Sequence, residues 1–404
     1  MFSRVFKAFH YRDFRILWIG ACTSTIGTWM QEVAQNWLVL QLTGSPFLLG
    51  LDAFLGDIPI FLFSLFGGVL ADRVDRRFIL IGSQVVQMIS AGILAILIWT
   101  GYIQKDTIWV VLLLSFVVGT AQSFGGPAYS ALVPSLVEKE DVPNAIALNS
   151  IQFNLARVIG PVIGGLAMKY VGAGWCFALN SLSFLAVIIS LSRLHINFSP
   201  PRTGESIMTS MKQGFTFIRA QGAMVTLIAI AFFMTLLGIP TITFLPVFAK
   251  VVFAGDAMTY TLFLVASGLG SITGALTVAW MGDIHNKGRV ALTALVAMGI
   301  GMVGFAQSTS LVLSCVMLFF TGSVLMCAFA MIASLVQLIT PNDMRGRVMS
   351  VYNVSFRGGM PFGSVLTGWL VPMLTAPTVL SINGVVLLSM GLYFLLVQRR
   401  VAAL

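Results

Sequence analysis

Charge is what this 404-residue sequence has least of: Asp, Glu, Lys and Arg together make 9% of it, against roughly 25% in a soluble globular domain. Histidine occurs three times, as His10, His195 and His285, and cysteine four times, as Cys22, Cys176, Cys315 and Cys327. The cysteines stand singly in apolar stretches, with no CxxC pair and no histidine beside them. That excludes a disulfide framework and a zinc ribbon, and leaves them as small core fillers. No DDxxD run occurs, and all three histidines fall in polar connections. A metal-dependent intramembrane transferase and a histidine proton relay are therefore both disfavoured, and neither cofactor nor metal is expected.

What is present instead is apolar: 58% of residues are hydrophobic, with a mean hydropathy of +0.95. A water-soluble fold of this length cannot hide so much apolar surface, so the chain belongs in a bilayer. A soluble enzyme and a nucleic-acid binder are excluded. Counting runs of about 20 apolar residues gives twelve, at 15–42, 47–71, 78–99, 107–130, 143–168, 174–192, 223–250, 258–281, 290–307, 310–338, 347–372 and 378–398. The first run is too long for a cleavable signal peptide, and no small-residue cleavage site follows it. The expected fold is an all-α membrane protein of twelve transmembrane helices.

The net charge of +9 sets orientation. With the N-terminus inside, 18 Lys and Arg fall in cytoplasmic segments, 3 (Lys105, Lys169, Lys250) in outer loops, and 2 (Arg157, Arg357) within spans, which accounts for all 23. This is a strong positive-inside bias with both termini cytoplasmic. The basic surplus is an orientation signal that also meets anionic lipid, not a nucleic-acid footprint.

The longest polar connection, roughly 193–222, opens with Ser199-Pro200-Pro201 and continues with Ile207, Met211, Phe215 and Ile218 at helical spacing. It reads as a linker with an interfacial helix, dividing the chain into six-helix bundles at 1–192 and 223–404. The halves echo each other. Arg157 and Pro161 in the fifth span are matched by Arg357 and Pro361 in the eleventh at an offset of 200, with Gly160/Gly164 and Gly359/Gly363 beside them at nearly the same offset. A duplication of this kind places a substrate cavity between pseudo-symmetric halves near the bilayer midplane.

Between spans two and three stands Gly68-Val69-Leu70-Ala71-Asp72-Arg73-Val74-Asp75-Arg76-Arg77. It resembles the signature loop of the major facilitator superfamily, with Asp75 where family patterns carry Gly. Arg157-x-x-Gly160-Pro161-x-x-Gly164-Gly165 resembles the superfamily's antiporter element. The stretch from Gly27-Thr28-Trp29-Met30-Gln31 to Leu42-Thr43-Gly44-Ser45-Pro46 is similar to the branch containing the enterobactin exporter and related drug/proton antiporters. The resemblance implies a secondary transporter of the bacterial inner membrane, monomeric, whose partners are a small-molecule substrate, a proton and lipid. The favoured reading is a proton-coupled exporter of drugs or a siderophore. An importer of a nutrient or lipid-like solute and a non-transporting sensor remain as alternatives.

A charge at the bilayer centre costs about 2.5–3.5 kcal/mol on insertion scales, so intramembrane charges mark the candidate chemistry. Glu32 and Asp57 are the candidate proton carriers, because burial raises a carboxyl pKa and a neighbouring arginine lowers it; the competing reading is a static ion pair with Arg157. Asp52, a turn or two from the outer surface, is expected to be wet. Trp29, Gln35, Asn36, Asn149, Gln152, Arg157, Asn353 and Arg357 are the candidate substrate-cavity residues, the arginines either binding an anionic cargo or serving packing and gating. Asp72, Arg73, Asp75, Arg76 and Arg77, with Asp283 in the weaker repeat of the loop, are the candidate cytoplasmic gate. Gly160, Pro161, Gly164 and Gly165 are expected to pack the fifth span tightly and let it bend.

Overall fold

The computed structural model describes residues 6–194, 207–282, 284 and 286–404, with Ile207–Ser210 as backbone. It is all helix, 88% of the chain, without a strand among the described residues. After a 3-10 turn at Lys7–His10 come α1 (Arg12–Thr43), α2 (Pro46–Arg73), α3 (Arg76–Trp99), α4 (Trp109–Leu132), α5 (Val142–Tyr170) and α6 (Ala173–Ser192). Then follow α7 (Ile207–Ala220), α8 (Gly222–Gly238), α9 (Ala257–Met281), α10 (Lys287–Gln307), α11 (Leu311–Leu338), α12 (Arg345–Leu374) and α13 (Ala376–Leu392). Short turns carry α8 on to a π-helical end at Phe248–Val252.

The breaks between helices follow local chemistry. Gly44 takes the left-handed conformation (φ 63°) and returns its N–H to Leu40 O, ending α1. Asp75 accepts from the Arg77 N–H and so starts α3. Asp256 accepts from both Met258 and Thr259 N–H to start α9. Among the described residues, ten helical spans are long and apolar enough to cross a membrane; α1 and α12 are not among them. These two are 32 and 30 residues long, but hold Glu32, Gln31, Gln35, Asn36, Asn353 and Arg357. Their polarity is what sets them apart.

The chain separates into two compact units: Met1–Gly44 with Leu55–Thr203, and Ser45–Phe54 with Gly204–Leu404. The division cuts α2, whose first turns pack on α12: a Cβ on Gly50 would come within 3.1 Å of Gly368 Cα, and the Phe54 and Phe362 rings lie 6.0 Å apart. In the first unit, Phe14, Leu17, Leu80, Leu132, Leu148 and Leu191 form an apolar core. In the second, Met224, Leu227, Leu295, Met298, Ile332 and Tyr352 do the same. Lipid is as apolar as these side chains, so close contact between helices, not apolar burial, holds each unit together. The amphipathic α7 lies on α12, where a Cβ at Gly214 would fall 2.7 Å from Arg347 O. Ser199-Pro200-Pro201 and Ile207 of the expected linker fall outside the residues whose side chains are described.

Candidate functional site

The site in the first unit begins with two glycines. A Cβ at Gly160 would sit 2.8 Å from Ile26 O, and one at Gly164 3.0 Å from Met30 O. Only glycine lets α5 lie against the backbone of α1 at this distance. Pro161 and Gly165 are buried beside them, and Cys176 Sγ meets Gly164 O at 3.7 Å. This contact places Arg157, one turn before Gly160, over the Trp29 ring, with Cζ 5.8 Å from its centroid. Phe153, one turn earlier again, meets the same ring edge-on at 5.8 Å. Glu32, one turn beyond Trp29, is exposed and acts electrostatically on the Arg157 guanidinium. Trp29, Glu32 and Arg157 thus converge. Phe153 belongs with them, and its i, i+4 spacing to Arg157 was the signal that could have found it.

Other predicted residues bind their own neighbours. Gln35 Nε2 donates to Ser115 Oγ at 2.8 Å, tying α1 to α4. Gln152 Nε2 donates to Thr25 Oγ1 at 2.8 Å, tying α5 to α1. Asn149 Oδ1 accepts from the Tyr129 hydroxyl at 2.7 Å. Gln31 Oε1 accepts from Asn180 Nδ2 at 2.7 Å. Asn36 and Asp57 are both half-buried and engaged. Asp52 departs from expectation: it is 4% exposed and engaged, not wet. Counting turns along one helix could not see that these first turns of α2 pack on α12.

The second unit repeats the glycine contact with different side chains. A Cβ at Gly359 would meet Phe232 O and Leu236 N, and one at Gly363 would meet Leu236 O, as Gly160 and Gly164 meet Ile26, Met30 and Met30 O. In this frame α5 and α12 correspond at an offset of 199, and α1 and α8 at 206. A further tie agrees, since Asn383 Nδ2 donates to Leu237 O where Asn180 donates to Gln31. The two arginines, 200 apart, are therefore not counterparts. The position of Arg157 is taken by Phe356, that of Trp29 by Thr235 and that of Glu32 by Gly238. One residue turns a helix by about 100°, so Arg357 looks out from a different face, exposed together with Asn353.

Where α2 gives way to α3, Arg76 donates to Ala131 O at 2.8 Å and Ala71 O at 3.2 Å. Arg77 donates to Leu194 O at 3.1 Å. These cations serve the carbonyls left free where α2, α4 and α6 finish. Asp72 lies 3.8 Å from Arg76 and Asp75 3.7 Å from Arg77, while Arg73 is exposed. Asp283 lies outside the described residues. Nearby, Lys7 Nζ reaches Asp141 Oδ1 at 2.7 Å, the Tyr11 hydroxyl donates to Oδ2 at 2.9 Å, and Ala8 N–H donates to Asn144. The one hydrogen bond that Lys7 donates to Asp141 holds the carboxyl below its ordinary pKa and the ammonium above its own.

Long apolar helices with polar groups set between glycine-packed partners define a multi-pass membrane protein. The chain belongs to the major facilitator superfamily, in the family described as transmembrane secretion effector, whose model matches residues 4–403. It is 26% identical over 389 residues to the enterobactin exporter EntS of Shigella boydii serotype 4 (strain Sb227), covering 95% of this chain and 91% of that one. The enterobactin exporter EntS of Escherichia coli O139:H28 (strain E24377A / ETEC) matches at the same identity and coverage. In fold it is similar to a D-xylose-proton symporter (TM-score 0.75, 14% identity, 95% of this chain and 97% of that one). It is likewise similar to the nucleoside transporter NupG (TM-score 0.73, 17% identity, 95% and 98%). The protein is a transporter and not an enzyme.

Proposed function

We propose that the chain is a proton-coupled exporter of small amphipathic organic molecules, a siderophore or drugs, working by alternating access. Twelve spans in two six-helix bundles, joined through the 193–222 linker, sit as a monomer in the bacterial inner membrane with both termini in the cytoplasm. The observation that carries the reading is the convergence of Glu32, Arg157 and Trp29 on the glycine-packed α1–α5 pair, in a chain similar along its length to an exporter. Glu32 is exposed enough to exchange a proton. When it is charged, it balances Arg157. Protonation removes that balance and changes the energy of the two-helix pair, which lets proton loading and cargo release alternate. Asp57 on α2 is the second candidate carrier. The acidic end of α2 at Asp72 serves as the gate latch, with Arg76 and Arg77 holding the loop in place.

Purified protein in proteoliposomes tests this directly. Enterobactin should move against its own gradient when a pH gradient is imposed, and stop when it is collapsed. Flux indifferent to the gradient would remove proton coupling.

A further inference from the structure

We propose that Arg357 and Asn353 on α12 form an anion-recognition subsite, and that the cargo carries a negatively charged group on an apolar body. The inference deepens the transport reading by naming a substrate class. Arg357 is the thirteenth of 30 residues in α12, so it stands about 18 Å along the helix, near the middle of a hydrocarbon layer about 30 Å thick. It is exposed there and makes no hydrogen bond or ion pair with any described residue. The same holds for Asn353, one turn away on the same face. Ser350 continues this stripe towards the cytoplasm.

A guanidinium at that depth with no protein partner requires water or a ligand. The second unit offers it no free carboxylate: Asp52, on the first turns of α2, is 4% exposed and already engaged, and the membrane helices α8 to α13 contain no Asp or Glu. Nor is Arg357 a relic of duplication, since the counterpart of Arg157 is Phe356. That ring stacks against Tyr352 and meets Phe329 edge-on at 4.4 Å. The second unit therefore sets one unfilled cationic fork and one amide beside an aromatic cluster. The guanidinium fork donates two parallel hydrogen bonds to a carboxylate, sulfonate or acidic phenol; the half-buried Phe356 and Phe329 rings receive the apolar body, while Tyr352 stays in the core. The candidate coupling carboxylates, Glu32 and Asp57, both belong to the first unit, where the Gly56–Gly119 contact corresponds to Ser267–Gly322 and makes Gly268 the counterpart of Asp57.

The test uses three probes of one shape and different charge: 1-naphthylacetate, its neutral amide and 1-naphthylmethylammonium. Binding to the purified full chain is measured by titration calorimetry, with thermal melts to verify folding. Wild type should prefer the acid over the amide, and both over the ammonium. Arg357→Gln should remove at least tenfold of the acid's affinity and leave the amide's unchanged, while Arg357→Lys should keep part of the preference. Equal binding of the three probes by wild type, or an acid preference that survives Arg357→Gln, would overturn the subsite. An Arg357-dependent preference without flux in proteoliposomes would uphold the subsite and count against export. Gradient-driven flux of the cationic probe, untouched by Arg357→Gln, would uphold export and sink the subsite.

Discussion

Two carboxylates were candidate proton carriers by depth alone, and their surroundings now differ. Glu32 is exposed beside a guanidinium that the Trp29 face also holds, a contact worth about 0.5–2 kcal/mol, whereas Asp57 is half-buried on α2. Glu32→Gln is expected to lower gradient-driven flux at least tenfold while leaving downhill cargo movement intact, and Asp57→Asn should cost several-fold less; parallel proteoliposome assays would show it. A reversed order would move the carrier to α2. The convergence of Trp29, Glu32 and Arg157 was legible because charge inside an apolar run is rare. The destinations of Gln35, Asn149 and Gln152 were not, because an amide satisfied by the next helix and one facing water have the same sequence signature. The arginine pair was misaligned for a related reason: an offset counted on conspicuous residues ignores which face packs, and the glycines fix that face.

The helices were readable from apolar runs and their ends from Gly and Asp, but how closely two helices approach depends on both partners. At Gly164 a leucine would drive side-chain atoms into the Met30 carbonyl. Overpacking of this kind costs about 1–3 kcal/mol or more. Gly164→Leu should therefore lower the melting temperature of the detergent-purified protein by several degrees and abolish transport, and Gly363→Leu should do the same through α8. Gly164→Ala is the graded control, and a Gly164→Leu protein of normal stability and flux would make the close approach incidental. The loop between α2 and α3 divides differently. Arg76 holds two carbonyls, so Arg76→Ala should destabilise the fold, while Asp72→Asn should stop transport with melting unchanged. The 3-10 turn at Lys7–His10 is fastened through Asp141. Because that carboxyl is held below its ordinary pKa, the fastening is complete near neutrality and lost as pH falls through the lowered value; the raised Lys7 loses its contribution only as pH rises through a value above 10.5. Hydrogen-exchange protection factors at residues 6–11, with intrinsic base catalysis divided out, should be flat between pH 6 and 8, and Asp141→Asn should lower them across that range. Equal exchange in both proteins would detach Asp141 from the turn.

At the scale of the whole chain, the basic residues make the sharpest claim, because a positive-inside count fixes every loop at once. The helix boundaries now supply the positions at which to check it. On that count the connections at 101–107, 253–256 and 308–310 are expected outside, and those at 74–75, 133–141 and 340–344 inside. The native cysteines are half-buried or buried, and a cysteine-free background removes them as labelling sites. Single cysteines at Thr107, Gly255 and Thr309 should then react with an impermeant maleimide on intact cells. Cysteines at Val74, Ser135 and Asn342 should react only after the membrane is opened. The opposite pattern would invert the orientation, and with it the direction in which a proton loaded at Glu32 travels. Mixed accessibility within one set would mean that α1 or α12, the two helices too polar to qualify as spans on composition, does not cross. In that case the polar faces bearing Glu32 and Arg357 would no longer stand at membrane depth, and the physical reason for assigning them transport chemistry would be gone.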